Sequence, residues 1–380
     1  MKSIRAILCL GLLFTAPCLA QTQGSAFANA AGAQQRRVTI LLTLTDHSDN
    51  PLQSVAKDAL SVVEDSQPGD LLDVRSANQL PLQLGLVLLS SNTNFSQQQA
   101  AAIELVRKVV RANIDRAFVV TAGGDKPWSN ARLDWQSDPA DLEKTIRSLD
   151  RDTGLPDAFT YNLTEDNANQ NRRLHIQRYS TGSTSVFDII WNMMKSDPRP
   201  GRRAVVIFRN AWAHSPGFGN TVQQLVDERH SRIIADAQRL WTAFYVIGVE
   251  EPTPPPTALS QTYAPTFTGA GGYNRVYDQE MEKFRDRAYD GGKNNLERLA
   301  GETGGMTWWS ARKNYPDAVN GIINHLNSQY AVSYAVHGIA TPGAQHLLQI
   351  KAKQSGTRVF VQRAYFTRES PTPPPQTARP

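Results

Sequence analysis

Cysteine is almost missing from this chain: its 380 residues include two, Cys9 and Cys18, both within the opening segment. That segment has the three parts of an export signal. Lys2 and Arg5 form a positive start, Ile7 to Phe14 an apolar stretch, and Cys18-Leu19-Ala20 a small-residue cleavage site before Gln21. Cleavage there is expected to leave a mature chain without a thiol, a disulfide or a cysteine metal ligand. A chain this long can build its core without such staples, so export to an oxidising space is compatible with the lack. A lipoprotein signal would need a small residue before the cysteine, and Pro17 stands there. Long hydrophobic runs are lacking as well. The apolar part of the signal is too short to span a bilayer, and no later stretch is apolar enough, so no integral membrane segment is expected after signal removal.

The short motifs of catalysis are also missing. The seven histidines form no HExxH and no i, i+4 pair suited to zinc. There is no GxSxG elbow, no phosphate-cradling P-loop and no GxGxxG after the first parallel strand. GAGG at 269–272 lies in a Pro/Gly-rich insertion, where flexibility explains it better than phosphate binding. Triads are defined in space rather than in sequence, so this list leaves an unheralded Ser/His/Asp set open. The expectation is a protein that is not an enzyme and carries neither cofactor nor metal. The formal charge of +5 falls to +3 once Lys2 and Arg5 are removed. Arg172-Arg173 and Arg202-Arg203 lie apart without interleaved aromatics, so no nucleic-acid partner is expected.

What is present is a 40% hydrophobic chain with an ordered pattern. Residues 21–36 read as a flexible leader. RVTILLTLT (37–45) and a short segment near Leu60–Glu64 read as strands of an N-terminal β portion, residues 37–80. From 81 to 328 buried strands alternate with helices. The strands are LQLGLVLLS (82–90), RAFVVTA (116–122), RAVVIF (203–208) and TAFYVIGV (242–249), with ARLDWQS (131–137) as an edge. Ser96 with Gln99 reads as a capping box, and Asp138 followed by Pro139 as the start of another helix. Further helices are expected at Ser183–Lys195, Thr221–Arg239, 294–303 and 315–328. Residues 150–178 show no period and read as loop with some helix, and 252–275 as the Pro/Gly-rich insertion. This alternation predicts a doubly wound, mostly parallel sheet. Residues 329–368 hold three strand-like runs joined by turns at Pro342-Gly343 and Ser355-Gly356. With no helix between them, they predict antiparallel β paired with the early strands. The fold class is therefore α/β, inserted in a small antiparallel β domain built from both chain ends. Residues 369–380 form a Pro-rich tail.

The passages YVIGVE, LERLAGETGGMTWW, QYAVSYAVHG and VFVQRAYF follow LPLQLGLVLLSSNT and ARLDWQSDPADLEKTIRSL in a fixed order. In this order the chain resembles the von Willebrand factor A (VWA)-related secreted proteins of bacteria. The resemblance implies a VWA-like sheet whose top loops form a metal-ion-dependent adhesion site: Asp-x-Ser-x-Ser, a Thr, and a second Asp. Aligned on it, Leu89 takes the leading Asp position, Ser91 and Thr93 the two hydroxyl positions, and Thr184 the threonine position. Asn210 takes the second Asp position, preceded by Arg209. The hydroxyls remain and both carboxylates are lost, so a hard divalent cation loses the charge that repays its dehydration. The resemblance implies an exported protein-binding module that works without metal. Arg209 is expected in a top loop, helped by Ser91, Thr93, Thr184 and Asn210 in holding an acidic group of a protein partner. The alternative is a structural or assembly component of an envelope complex, with the VWA domain as scaffold.

Overall fold

A computed structural model describes residues 35–52, 54–90, 94–123, 126–127, 133–151, 153–155, 162–165, 174–177, 185–209, 220–249, 290–310, 315–338 and 341–367. In chain order the elements begin with β1 (Gln35–Thr45), β2 (Leu60–Glu64), β3 (Gln67–Ser76) and β4 (Leu82–Leu89). Next come α1 (Phe95–Val109), β5 (Arg116–Ala122), the short β6 (Lys126–Pro127), α2 (Pro139–Arg147), β7 (Thr153–Gly154), β8 (Asn162–Glu165) and β9 (Leu174–Gln177). They are followed by α3 (Val186–Ser196), β10 (Arg202–Arg209), α4 (Asn220–Arg239), β11 (Thr242–Val249) and a helix α5 over 290–302. The last are β12 (Thr307–Ser310), α6 (Tyr315–Asn327), β13 (Gln329–His337), β14 (Gln345–Ala352), β15 (Arg358–Val361) and β16 (Ala364–Phe366).

The predicted α/β sheet is present. Five strands run parallel in the order β12-β11-β10-β4-β5. Every residue of β4 is buried, which is why its sequence shows no alternation: both faces of the strand meet helices. Leu84, Leu86 and Leu88 pack against α1, α2 and α6, while Val87 faces α3, α4 and α5 on the other side. Each such fully buried aliphatic side chain contributes about 1.5–3 kcal/mol relative to exposure.

The two chain ends form one curled antiparallel sheet of seven strands, in the order β15-β1-β13-β3-β2-β14-β16. N- and C-terminal strands interleave: β1 is flanked only by C-terminal strands and β13 only by N-terminal ones. β15 and β16 lie at opposite ends of the order although only Gln362 and Arg363 separate them, so the sheet curls until its ends meet. The Leu348 amide donates to the Arg363 carbonyl, which carries the β14–β16 ladder up to the bend. Inside the curl, Val38, Ile40, Leu42 and Leu44 of β1 pack on Tyr330, Val332, Tyr334 and Val336 of β13.

Several local expectations need correction. RVFVQRAYF bends into two strands rather than one. β3 was unforeseen: QPGDLLDVRS is mostly exposed or half-buried, and its backbone ladders to β13 and β2 hold it. The expected edge strand at 131–137 reduces, in its described part, to one bridge between Gln136 and Ala117. Residues 150–178, expected as loop with some helix, contain β7 and an antiparallel β8–β9 pair. α1 starts at Phe95 with Asn94 at its N-cap, and Ser96 and Gln99 form no capping box. Gln99 instead donates to the carbonyls of Ile146 and Leu149. Asp138 does cap α2, accepting from the Ala140 amide at 2.8 Å.

The two crossings between the domains are pinned by arginines. The Ala77 amide donates to Gln329 O at 2.7 Å, joining the outgoing and returning chains. Arg111 donates to the carbonyls of Asn78 (2.6 Å) and Leu80 (2.9 Å) while pairing with buried Asp115. Arg202, 3% exposed, donates to Leu80 O on the way out and to Leu326 O on the way back.

Candidate functional site

The chain leaves β4 through α1 towards β5 on one side, and leaves β10 through α4 towards β11 on the other. β4 and β10 are adjacent, so the strand order reverses between them, and their carboxyl ends bound the crevice where open α/β sheets bind ligands. Their register pairs Val87 with Ile207, so Leu89 and Arg209, each two residues further on, end the two strands side by side.

Local bonds fix this edge. Gln98 of α1 is fully buried and grips both backbone groups of Leu89: its Oε1 accepts from Leu89 N at 2.9 Å, and its Nε2 donates to Leu89 O at 3.3 Å. The next residue, Ser90, donates through both its amide (2.9 Å) and its hydroxyl (3.1 Å) to Ala122 O at the end of β5. α1 therefore begins directly above β4. The short link from α3 to β10 ends at Gly201, beside Pro81 at the start of β4, so the first turn of α3 lies at the same edge as Leu89. Ser185 caps that turn: its hydroxyl accepts from the Asp188 amide, and the Asp188 carboxylate accepts from Ser185 N at 2.9 Å. Two helix N-termini thus face the switch point, each carrying partial positive charge from its amides.

Of the predicted site residues, Ser91, Thr93, Thr184 and Asn210 lie outside the described residues. Their immediate neighbours Ser90, Asn94, Ser185 and Arg209 bracket the crevice. Arg209 departs from the expectation. It is the last residue of β10 rather than part of a loop, and none of its surface is exposed. Strand β10 is buried along nearly its whole length, so its final side chain is enclosed with it.

A second cluster, unforeseen in the sequence, sits at one end of the curled sheet. Buried Glu64 accepts hydrogen bonds from Tyr334 (2.7 Å) and Tyr365 (2.9 Å) on Oε2 and from Arg36 on Oε1. His346 Nδ1 lies 2.7 Å from Asp65 Oδ2 and 3.3 Å from Glu64 Oε1. Asp65 Oδ1 accepts from the Leu347 amide at 2.8 Å. Among the described residues, Glu64, Asp65 and His346 are the one group of carboxylate and imidazole ligand atoms close enough to share a cation. The place of a cation beside Glu64 is taken by Arg36, and two tyrosine hydroxyls occupy its other oxygen, so the cluster is a structural knot. Burial pushes the phenols of Tyr334 and Tyr365 well above their ordinary value, and the Glu64 carboxylate adds to the shift, so both remain donors. The signal for this knot was weak because five strands far apart in sequence supply it.

No known family profile matches the chain, and no curated protein matches it. Among solved structures, the human COPII-coat protein Sec24c is similar at 7% identity over 78% of this chain and 44% of that one, with a TM-score of 0.34. PilB minor pilin from Streptococcus sanguinis is similar at 10% identity over 65% and 62%, with a TM-score of 0.32. The matched region spans less than two thirds of either of those proteins. Both likenesses are too distant to assign a function.

Proposed function

We propose that the chain is an exported, non-enzymatic protein-binding module of the VWA type, using the loops that follow β4 and β10 without a metal ion. The observation that carries this reading is the switch point itself. Two helix N-termini converge there on the paired ends of the central strands, with the positive charge of Arg209 beneath. Such an edge favours an acidic group of a partner protein. The donor set does not fit a divalent cation: Leu89 brings no ligand atom, and Arg209 adds like charge next to Asn210. Ser91, Thr93, Thr184 and Asn210 are the groups proposed to meet the partner. Arg209, being enclosed, acts from below through its charge.

The test is a comparative capture from the exported fraction, using wild type and a Ser91→Glu, Thr93→Glu, Asn210→Glu triple variant. The variant is expected to lose a protein that wild type retains, and EDTA is expected to leave the wild-type result unchanged. Equal retention by both proteins would sink the reading. A scaffold role in an envelope assembly is favoured instead by the arginine pins at the domain crossings, which make the two domains one stiff unit. That reading gains if capture is insensitive to the top loops.

A further inference from the structure

At the opposite end of α6 from its first turn, the α/β domain meets the curled sheet through an aromatic box around one histidine. His325 is 1% exposed. Its ring centroid lies 4.7 Å from Phe360 on β15, 5.8 Å from Trp308 on β12 and 6.1 Å from Tyr245 on β11, all edge-to-face. Neither ring nitrogen has a hydrogen-bond partner among the described residues. The box joins the domains: Thr43 of β1, paired with Phe360 of β15, donates to the His325 carbonyl at 3.4 Å. On the curled-sheet side it is closed by β15, a four-residue strand at the end of the sheet order.

We infer that His325 is an acid-sensitive latch, and that protonating its ring parts edge strand β15 from the α/β domain. A neutral imidazole fits the box at the cost of unmet hydrogen bonds. An imidazolium would be a third positive charge, beside two arginines. The charged groups facing it are Arg358 of β15, which lies over Phe360 and pairs with Asp49, and Arg202 of β10, which donates to the next carbonyl, Leu326 O. Tyr245 of β11 is held neutral by burial, and β12 contributes only Trp308. Solvation releases the charge, and β15, exposed or half-buried along its length and paired on one side with β1, is the wall that can yield.

Burial, helped by Arg358, pulls His325 down from 6.5 to about 4. The parted state binds the proton more readily than the latched one. Acid therefore favours parting, by about twentyfold at pH 5 relative to pH 7, and alkali favours latching.

The test follows hydrogen exchange in the full chain between pH 7 and pH 5, corrected for intrinsic rates, alongside NMR titration of the histidine rings. Protection of β15 and the end of α6 is expected to fall about twentyfold in wild type while β10 and β11 stay protected. His325→Phe is expected to keep its protection. Should that variant fail to fold, the wild-type ring titration still decides. An ordinary midpoint near 6.5 with β15 protected would overturn the latch. So would matching pH profiles for wild type and His325→Phe, or loss of β10 protection in step with β15.

Discussion

Arg202 and Asp115 show how single polar groups hold the crossings between the domains. Arg202 is enclosed, and its guanidinium satisfies two backbone carbonyls that belong to different passes of the chain. Methionine preserves the apolar stem but removes the side-chain donor of Leu326 O and one of the two donors of Leu80 O, whose other is Arg111, in a dry setting. Arg202→Met is therefore expected to destabilise the protein by about 3 kcal/mol, read as a lower urea midpoint at unchanged slope. Asp115 has no exposed surface. Burial alone would raise its pKa, but hydrogen bonds from the Arg111 side chain and from the amides of Leu82 and Arg111 outweigh this and hold it below the ordinary 3.8. A depressed carboxyl contributes stability above its unfolded value and loses it as the pH falls through the folded one. Asp115→Asn is thus expected to destabilise at pH 7. The gap to wild type should narrow as both are taken below about pH 4 in chemical denaturation series.

At the level of elements, the segment between α5 and β12 explains why AGETGGMTWW is so specific a string. Gly304 has φ +83, and Gly305 lies so close to the Phe244 backbone that an added Cβ would fall 1.8 Å from its carbonyl oxygen. A side chain at Gly305 would have to move β11, and one at Gly304 would press on the backbone of Val361 and Gln362. Gly301, a few residues earlier, has nothing within 4 Å of such a Cβ. Gly305→Ala is expected to cost roughly 3 kcal/mol or to abolish folding, while Gly301→Ala stays within about 0.5 kcal/mol, both read by thermal or urea unfolding. Elements were legible where burial left a mark in the sequence: β4, β5, β10 and β11 are apolar through their middles because both faces are covered. β3 was not legible, because backbone ladders hold it and its Pro68, Gly69 and Asp70 read as loop. The bend at Gln362-Arg363 was hidden for a related reason, since it comes from docking Gln362 on Thr303 and Arg363 N on Glu302 O. Of the candidate site, the ends of β4 and β10 were singled out by the resemblance, while their adjacency at the switch point came from the structure. The burial of Arg209 did not, because a terminal strand residue and a first loop residue look alike in sequence.

For the molecule as a whole, the interleaved sheet makes the two chain ends one cooperative unit. A chain lacking residues 35–64 loses β1 and β2, and with them the neighbours of β15, β13 and β14. Hydrogen-exchange protection over 329–366 is expected to vanish in that variant while β4, β10 and β11 keep theirs. Protection surviving at 329–366 would show that the C-terminal strands stand alone.

Interleaving also sets a timetable. Thr39 finds its hydrogen-bond partner in Ser333, 294 residues further along the chain. As the chain emerges from its N-terminus, β1, β2 and β3 exist long before any strand that can flank β1, whereas β4, α1 and β5 find one another within a few dozen residues. Loop closure over so long a span is slow, and the folding of the inserted domain shortens it by bringing Ala77 and Gln329 into contact. The α/β domain is thus a folding template for the sheet around it. The sheet is the last part to close, and β1, flanked only by strands from the far end of the chain, is the stretch most exposed to aggregation on the way.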